Sequence, residues 1–291
     1  MTYNLWKTSG EATAWDVRRP ILLNQLKKLN PDVLLVQELN PDIHACVTEA
    51  LPNHGYVTDL SVPGFQCEGN IYYRRTMFSL VAHGAEDIQQ EEKDRRLFWV
   101  RLRDNQQHET KTLLFSTAHY TWQGHSKEIE SDINLRKRQA RNTVAALSRL
   151  RPENAEERAL RGPLNLQEIY DGDFRETKTE SEEVCFFGGD LNEGFWPKRI
   201  LESAGYVDCF SAIGLPVQPT HPNRSSLAHE EVNSDAALDW LFAKGENVAP
   251  LLSSVIRNMT GLSSTDPDER HKLAVVPSDH CPVMSVYRVS W

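Results

Sequence analysis

Polar side chains that can bind a metal or move a proton stand at the ends of apolar runs along this chain. They are Asn4, Glu38, His119, Asp190, Asn192, Asp239, Asp279 and His280. An acid that closes a buried run is costly unless it is paired, hydrogen-bonded or bound to a metal. Each residue alone is more simply explained as a surface, turn or structural hydrogen-bonding residue. Together they indicate one shared site, because burying so many polar groups beside apolar strands needs a common purpose.

The residue types of this set point to metal-assisted chemistry on phosphate. Carboxylate and amide oxygens are the ligands that Mg²⁺ and Mn²⁺ prefer in proteins. The imidazoles would then contact phosphate or transfer a proton. The sequence therefore predicts a site for a hard divalent cation, with Mg²⁺ expected and Mn²⁺ as the alternative.

The elements that must position these residues are mixed α and β. Apolar runs rich in Val, Leu and Phe predict buried strands at DVLLVQEL (32–39), LFWVRL (97–102), TLLFSTAHY (112–120), VCFFGG (184–189), ALDWLFA (237–243) and CPVMSVYRV (281–289). Helical spacing of apolar residues predicts helices over 18–30 and 134–150, and a short helix that ends at Gly205. Strands and helices thus alternate along the whole length.

Composition limits the class of protein. A chain of 291 residues that is 40% hydrophobic can bury one large core or two small ones. No run is long enough to span a membrane, and the first residues lack the basic and apolar regions of a secretory signal. Five cysteines without a C-x-x-C pair favour reduced thiols, hence an intracellular protein of the cytoplasm or nucleus without a structural zinc site.

The net charge of −9 disfavours a protein that binds duplex DNA through a broad basic face. This net charge is still compatible with a local basic patch formed by YYRR (72–75) and KDRR (93–96). These arginines are equally well explained as solvated surface residues. The stretch 151–183 is charged and weakly periodic, which predicts an insertion that is partly helical and partly mobile.

Short motifs resemble, in order, those of the endonuclease/exonuclease/phosphatase superfamily. They are TYNLW, LLVQE, STAHYTW, GGDLN, LDWLF and PSDH, and they extend over nearly the whole chain, residues 2–289. The resemblance implies a four-layered α/β sandwich, in which two packed mixed sheets are flanked by helices. It implies a single domain over residues 1–291 around the insertion, with the site on loops at one edge of the sheets.

The resemblance also implies roles for the metal-side residues. Glu38 would be the principal ligand of a catalytic Mg²⁺, with Asn4 beside it and Asp279 completing the metal site. Asp190 would orient or deprotonate the attacking water, and Asn192 would hold that water or the phosphate.

The remaining roles concern the imidazoles. His280 would contact the scissile phosphate, oriented and kept charged by Asp239, and His119 would donate to a non-bridging oxygen. A metal and two imidazolium donors fixed in advance can stabilise the charge that in-line attack builds on phosphoryl oxygens. Asp279 and His280 are successive residues of one extended segment, so they point different ways, one to the metal and one to the phosphate.

The implied activity is hydrolysis of phosphodiester bonds, most simply in single-stranded RNA or DNA. STAHYTW and the helix after it look like the deadenylase-type segment, whereas 5′-tyrosyl-DNA phosphodiesterases, sphingomyelinases and inositol phosphatases of the same superfamily are alternatives. A binding protein on the same fold without catalysis is the alternative from another class. The candidates for stacking on a nucleobase or for contact with phosphate are Tyr120, Trp122, Phe195, Trp196 and His221. Core packing is expected for at least half of the aromatic residues near the motifs.

Overall fold

The computed structural model describes residues 1–7, 14–106, 111–150, 183–221, 237–258, 261–262 and 274–290. The insertion expected at 151–183 lies outside the described residues except for Glu183. The single domain expected around it stays a prediction.

The strands and helices account for most of the described residues. The strands are β1 (Thr2–Asn4), β2 (Val33–Gln37), β3 (His54–Gly55), β4 (Gly69–Arg74), β5 (Phe78–Glu86), β6 (Leu97–Asp104), β7 (Thr112–His119), β8 (Val184–Asp190), β9 (Val207–Asp208), β10 (Asp239–Lys244), β11 (Val248–Val255), β12 (Gly261–Leu262), β13 (Ala274–Val275) and β14 (Val283–Val289). The described helices are α1 (Trp15–Leu29), α2 (Pro41–Ala50), α3 (Ser126–Ser131), α4 (Leu135–Leu150) and α5 (Trp196–Ser203).

Two six-stranded sheets form the centre of the fold. The first has the order β11-β14-β1-β2-β4-β3 and the second the order β5-β6-β7-β8-β10-β9. The pairs β1–β2 and β7–β8 are parallel and the other pairs of these sheets are antiparallel. The sheets are therefore mixed, as expected.

Apolar side chains fill the space between the sheets and the space outside each of them. The inner core includes Leu35, Ile71, Val100, Phe115 and Phe186. Outside the first sheet, α1 and α2 pack on β1, β2 and β4 through residues that include Tyr3, Leu22, Val36, Val47 and Tyr72. Outside the second sheet, α4 and α5 pack on β7, β8 and β10 through residues that include Leu114, Val144, Phe187, Leu201 and Phe242. The resulting order of helices, sheet, sheet and helices is the four-layered sandwich.

The apolar runs predicted as strands all form strands, and the predicted helices correspond to α1, α4 and α5. Gly205 follows α5 with φ +83°, the left-handed conformation that glycine adopts at a helix end. In the YYRR stretch, Arg74 pairs with Asp32, whereas Arg75 donates to the backbone oxygen of Pro52. None of the five cysteines forms a disulfide. No helix among the described residues is both long and apolar enough to cross a membrane.

Candidate functional site

Strand register brings the polar residues of the second sheet together. Asp190, the last residue of β8, is the register partner of His119 at the end of β7 and of Asp239 at the start of β10. Side chains alternate between the faces of a strand, and the neighbours Ala118, Gly189 and Trp240 point away from these three residues. His119, Asp190 and Asp239 therefore share the inner face at one edge of the sheet.

Close approach of two strands explains the second glycine of GGD. A Cβ atom at Gly189 would lie 2.0 Å from the carbonyl oxygen of Ala118. No side chain fits at that distance, so glycine lets β7 and β8 pair closely just before His119 and Asp190.

Asp190 is at the centre of the site. Its Oδ2 atom lies 2.9 Å from Asn4 Nδ2, 3.3 Å from His119 Nε2 and 3.6 Å from His280 Nε2. Its other oxygen, Oδ1, accepts the backbone N–H of Asn192 at 2.9 Å. Burial raises the pKa of Asp190 to about 6, with the charge of His280 opposing this effect. The carboxylate is thus held between the two sheets and poised to take up a proton near neutral pH.

Asn4 links Asp190 to the first sheet. Its Nδ2 also donates to Glu38 Oε1 at 3.1 Å, and its Oδ1 accepts the backbone N–H of Trp6 at 3.0 Å. Glu38 Oε2 accepts the backbone N–H of Lys7 at 2.9 Å. Asn4 therefore turns its amide nitrogen toward both carboxylates and bridges them. Its expected part in binding the metal stays a prediction.

Two left-handed residues shape the loops on which Glu38 and Asn192 lie. Glu38 directly follows the last residue of β2 and has φ 54°, and Asn192 lies two residues after the last residue of β8 and has φ 50°. A left-handed conformation is uncommon for residues other than glycine and persists where the surroundings fix it. Here the fixing contacts are the bonds of Glu38 to Lys7 N–H and of Asn192 Nδ2 to Tyr120 O at 2.8 Å.

His280 forms a buried pair with Asp239. His280 Nδ1 donates to Asp239 Oδ2 at 2.7 Å. Burial alone lowers the pKa of His280, but the charges of Asp239 and Asp190 outweigh it and raise the pKa well above its ordinary value. The backbone N–H of Asp239 donates to Thr220 Oγ1 at 2.9 Å, which fixes the start of β10. His280 is therefore an oriented imidazolium with Nε2 toward Asp190.

His119 differs from the expectation that it carries charge. Burial lowers its pKa well below the ordinary value, and the nearby charges of Arg95, His280 and Lys7 lower it further. Its Nδ1 has no hydrogen-bond partner among the described residues and lies 3.9 Å from Glu38 Oε1. The ring is thus a neutral imidazole, which can still donate one N–H, and the sequence-based picture of two imidazolium donors is wrong for this one.

The PSDH segment closes the site from the first sheet. Ser278 Oγ donates to the backbone oxygen of Asn4 at 2.7 Å and accepts the backbone N–H of His280 at 3.1 Å. Asp279 Oδ2 lies 3.7 Å from His221 Nε2, and the ring centres of His221 and His280 are 4.6 Å apart. His221 is therefore brought into the site, on the side of Asp279.

The donor set fits a divalent cation. Glu38 Oε1 and Asp190 Oδ2 converge on one atom, Asn4 Nδ2, and neither carboxylate pairs with a lysine or arginine side chain in the described part of the chain. Partly buried carboxylates that lack such a partner are well suited to bind a metal. Glu38 and Asp279 could hold Mg²⁺ or Mn²⁺, with Asp190 beside them. Acidic and imidazole ligand atoms also lie within 4.8 Å of one another in the sets Asp190, Asp239 and His280, and His221, Asp279 and His280.

The aromatic candidates divide into one core residue and three surface residues. Tyr120 is fully buried and its hydroxyl donates to Thr143 Oγ1 at 2.7 Å, so its ring cannot stack on a base, contrary to expectation. Trp122 and Phe195 are exposed on the loops that follow β7 and β8, and Trp196 is exposed as the first residue of α5.

Supporting residues of the site had not been identified from the sequence. Arg18 of α1 is buried and its guanidinium donates to the backbone oxygens of Leu5, Trp6 and Pro277, which joins the β1 loop to PSDH. The signal in the sequence is spacing: Arg18 lies four residues before Leu22, which places it on the buried face of α1. Gln37 Nε2 donates to Thr117 Oγ1 at 2.7 Å and so ties the two sheets together beneath the site.

Comparisons with known proteins bear on the fold and the family. No curated protein matches the sequence. The solved structure of D. rerio TDP2 complexed with single strand DNA product is 14% identical, with a TM-score of 0.65 over 99% of this chain and 97% of that chain. Mannosyl-6-phosphatase of Bacteroides thetaiotaomicron VPI-5482 is 16% identical, with a TM-score of 0.65 over 98% and 97% of the two chains. Truncated Caenorhabditis elegans TDP2 is 16% identical, with a TM-score of 0.62 over 99% and 96%.

At these identities the likeness to solved structures shows the fold alone. The sequence itself matches the Endonuclease/Exonuclease/phosphatase family over residues 1–280. That match covers nearly the whole chain and includes every residue of the site described above. The protein belongs to the endonuclease/exonuclease/phosphatase family.

Proposed function

We propose that the protein is a Mg²⁺-dependent phosphodiesterase that hydrolyses nucleic acid, with Mn²⁺ as an alternative metal. The observation that carries this proposal is the position of Asp190. Its Oδ2 lies within 3.6 Å of both site imidazoles and shares Asn4 Nδ2 with the carboxylate of Glu38. The proposed base (Asp190), a proposed metal ligand (Glu38) and two imidazole N–H donors therefore lie next to one another. Attack of water on a phosphodiester requires such a set of groups.

Glu38 and Asp279 would hold the metal, because both are site carboxylates at the edge of the first sheet. A bound Mg²⁺ would supply Lewis-acid stabilisation of the charge on the phosphoryl oxygens. Asn4 keeps Glu38 and Asp190 in place through the two bonds donated by its amide nitrogen.

Asp190 would accept the proton of the attacking water. A pKa of about 6, raised by burial, makes this carboxylate a stronger base than an ordinary aspartate while leaving it mostly ionised at neutral pH. The backbone N–H of Asn192 holds Oδ1, so that Oδ2 is the oxygen turned toward the imidazoles. Asn192 thereby positions the base through its backbone N–H, and its side chain would hold the water or the phosphate.

The two histidines would bind the phosphoryl oxygens. His280, charged and oriented by Asp239, offers Nε2–H as a charge-assisted donor. His119, a neutral imidazole, offers an N–H without adding a second buried charge. Donors fixed before the reaction stabilise the developing charge without reorganisation.

Nucleic acid is the proposed substrate because one structural neighbour, D. rerio TDP2, was solved with single-stranded DNA product. A deadenylase-like 3′ exonuclease is the preferred form and a 5′-tyrosyl-DNA phosphodiesterase the second. A mannosyl-6-phosphatase of the same fold makes a sugar phosphate the main rival from outside nucleic acids.

A substrate panel at fixed Mg²⁺ tests the proposal. It contains 5′-labelled poly(A) RNA, mixed-sequence RNA, single- and double-stranded DNA, a 5′-tyrosyl oligonucleotide, sphingomyelin, an inositol 5-phosphate and mannose 6-phosphate, with Glu38→Ala protein as the control. Stepwise loss of nucleotides from the RNA 3′ end, absent in the control, would support the exonuclease. Turnover of only the sugar, lipid or inositol substrate would refute the nucleic-acid part and leave a phosphoesterase.

A non-catalytic binding protein on this fold is the second candidate. A protein that only binds a partner does not need a hydrogen-bonded set of buried and partly buried polar groups such as Asn4, Glu38, Asp190, Asp239 and His280. This candidate would be favoured if folded protein bound an oligonucleotide but hydrolysed none of the substrates with Mg²⁺ or Mn²⁺.

A further inference from the structure

The aromatic side chains that are exposed in the described part of the chain all follow strands of the site. They are Trp122, Phe195 and Trp196, with exposed fractions of 43%, 55% and 43%. Trp122 lies on the loop after β7, which ends at His119. Phe195 ends the loop after β8, which itself ends at Asp190, and Trp196 begins α5 directly after that loop. Exposed aromatic rings clustered in this way are more typical of a binding surface than of a random distribution.

One buried arginine gives the two loops a common rigid base. Arg136 of α4 donates to Thr121 O at 3.3 Å, pairs with both carboxylate oxygens of Glu128, and donates from Nε to Glu193 Oε2 at 2.8 Å. Glu193 Oε1 in turn accepts the backbone N–H of Trp196 at 3.1 Å. The residues next to Trp122 and Phe195 are therefore held by one network, and the aromatic surface is preorganised.

Basic side chains alternate with these rings. Lys137 Nζ lies 3.5 Å from the ring centre of Trp196, and the guanidinium carbon of Arg199 lies 5.8 Å from that of Phe195. A strand of nucleic acid presents bases and phosphates in alternation, and stacking platforms for single strands combine aromatic rings with cations in this way.

An open cleft of about 530 Å³ lies along this surface. Its lining includes Phe195, Trp196, Arg136, Glu193 and Gln123, which directly follows Trp122. Glu193 directly follows Asn192 of the site, so a strand lying in the cleft would lead into the site.

We propose that Trp122, Phe195 and Trp196 form a stacking platform for the bases of a single-stranded nucleic acid, next to the cleavage site. The platform would make the protein prefer a polynucleotide over a small phosphoester. This proposal rests on the phosphodiesterase function proposed above and names the part of the protein that selects the substrate. A sugar phosphate could also stack on a tryptophan, but a single sugar needs neither several rings nor the cations beside them.

The test compares the kcat/KM for a short single-stranded RNA or DNA oligonucleotide with that for bis-p-nitrophenyl phosphate, which contains a phosphodiester but no nucleobase. The variants are Trp122→Ala, Phe195→Ala and their double variant, with Trp122→Phe as the conservative change. Leu251→Ala is the matched control, because Leu251 is an apolar residue of similar exposure (58%) on the edge strand β11.

In the double variant, we expect the ratio of oligonucleotide to bis-p-nitrophenyl phosphate kcat/KM to fall about tenfold or more, since alanine substitution removes stacking on each ring. Trp122→Phe should keep most of the ratio, and Leu251→Ala should keep all of it. The proposal is overturned if the ratio is unchanged, if both rates fall in parallel, or if mannose 6-phosphate hydrolysis falls as steeply as oligonucleotide hydrolysis.

A binding measurement separates this proposal from the proposed function. Fluorescence anisotropy of a labelled single-stranded oligonucleotide, with RNA and DNA as separate arms, gives a Kd that needs no turnover. Weaker binding by about tenfold in the double variant would support the platform even if the protein hydrolysed nothing. Absence of oligonucleotide binding by a protein that cleaves bis-p-nitrophenyl phosphate would overturn the platform and leave the hydrolase.

Discussion

His280 donates its Nδ1–H to Asp239 across 2.7 Å, and both side chains are buried. The two residues are far apart in the chain, and they meet because β10 begins at Asp239 beside Asp190 while PSDH leads into β14. A carboxylate behind the imidazole fixes its tautomer and its charge. The pair therefore sets the direction and the strength of the donor that we propose for the phosphate.

The first prediction concerns this pair. Asp239→Asn keeps the shape of the side chain but removes the charge that holds His280 as an imidazolium. We expect kcat for bis-p-nitrophenyl phosphate to fall by about 10² or more, as for loss of a positioned proton donor. Thermal unfolding should show that the variant remains folded. Near-normal kcat in folded Asp239→Asn protein would remove Asp239 from the mechanism.

The second prediction concerns the metal. A cation that binds only the folded protein raises the midpoint of thermal unfolding, by an amount that corresponds to about 2.7 kcal/mol at 100 times its Kd. We therefore expect Mg²⁺ or Mn²⁺ to raise Tm of chelator-treated protein, and Glu38→Gln to abolish most of the rise. Glu49→Gln is the control, because Glu49 is an exposed acid paired with Arg19 away from the site. An equal rise in the Glu38→Gln and Glu49→Gln proteins would mean that the metal binds elsewhere.

The third prediction concerns Arg136. This arginine is 3% exposed and is paired with Glu128 and Glu193. Arg136→Gln leaves two carboxylates without their partner, and breaking a buried pair costs about 3–5 kcal/mol of unfolding free energy. A double-mutant cycle with Glu193→Gln, measured by urea unfolding, should give a combined loss smaller than the sum of the two single losses. Additive losses would show that the two side chains do not interact.

The fourth prediction concerns the pH dependence of stability. His54 is buried and donates Nε2–H to Pro31 O at 2.6 Å, and burial lowers its pKa below 6.5. Below pH 6.5 the unfolded chain takes up a proton on this residue more readily than the folded protein does, so stability falls as the pH falls. His54→Gln, which can still donate to Pro31 O, should lose less stability between about pH 7.5 and pH 5.5. An identical pH dependence of wild type and variant would contradict this assignment.

Much of the fold could be predicted because its strands are apolar on both faces. β2, β7 and β8 are each covered by helices on one side and by the other sheet on the other, which gives near-continuous apolar runs. β5 and β11 were not predicted. They are edge strands with many half-exposed residues, and they therefore lack the apolar run that indicates a buried strand.

The site could be predicted in composition but not in contacts. The strand-end positions of Glu38, His119 and Asp190 were visible because polar residues interrupt apolar runs. Other features depend on side-chain contacts across two sheets. They are the direction of the Asn4 amide, the neutral state of His119 and the burial of Tyr120. Such contacts are set by packing between residues far apart in the chain, and a linear pattern does not report them.

The most direct test of the proposed chemistry is hydrolysis of bis-p-nitrophenyl phosphate by chelator-treated protein, with and without Mg²⁺ or Mn²⁺, in wild type and Asp190→Asn. We expect no turnover without metal, turnover when metal is added, and a rate at least about 10² lower in the variant, because it lacks the base. Three results would contradict a metal-dependent phosphodiesterase with Asp190 at its centre. They are turnover that the chelator does not affect, full activity in folded Asp190→Asn protein, and no turnover by folded wild type with either metal.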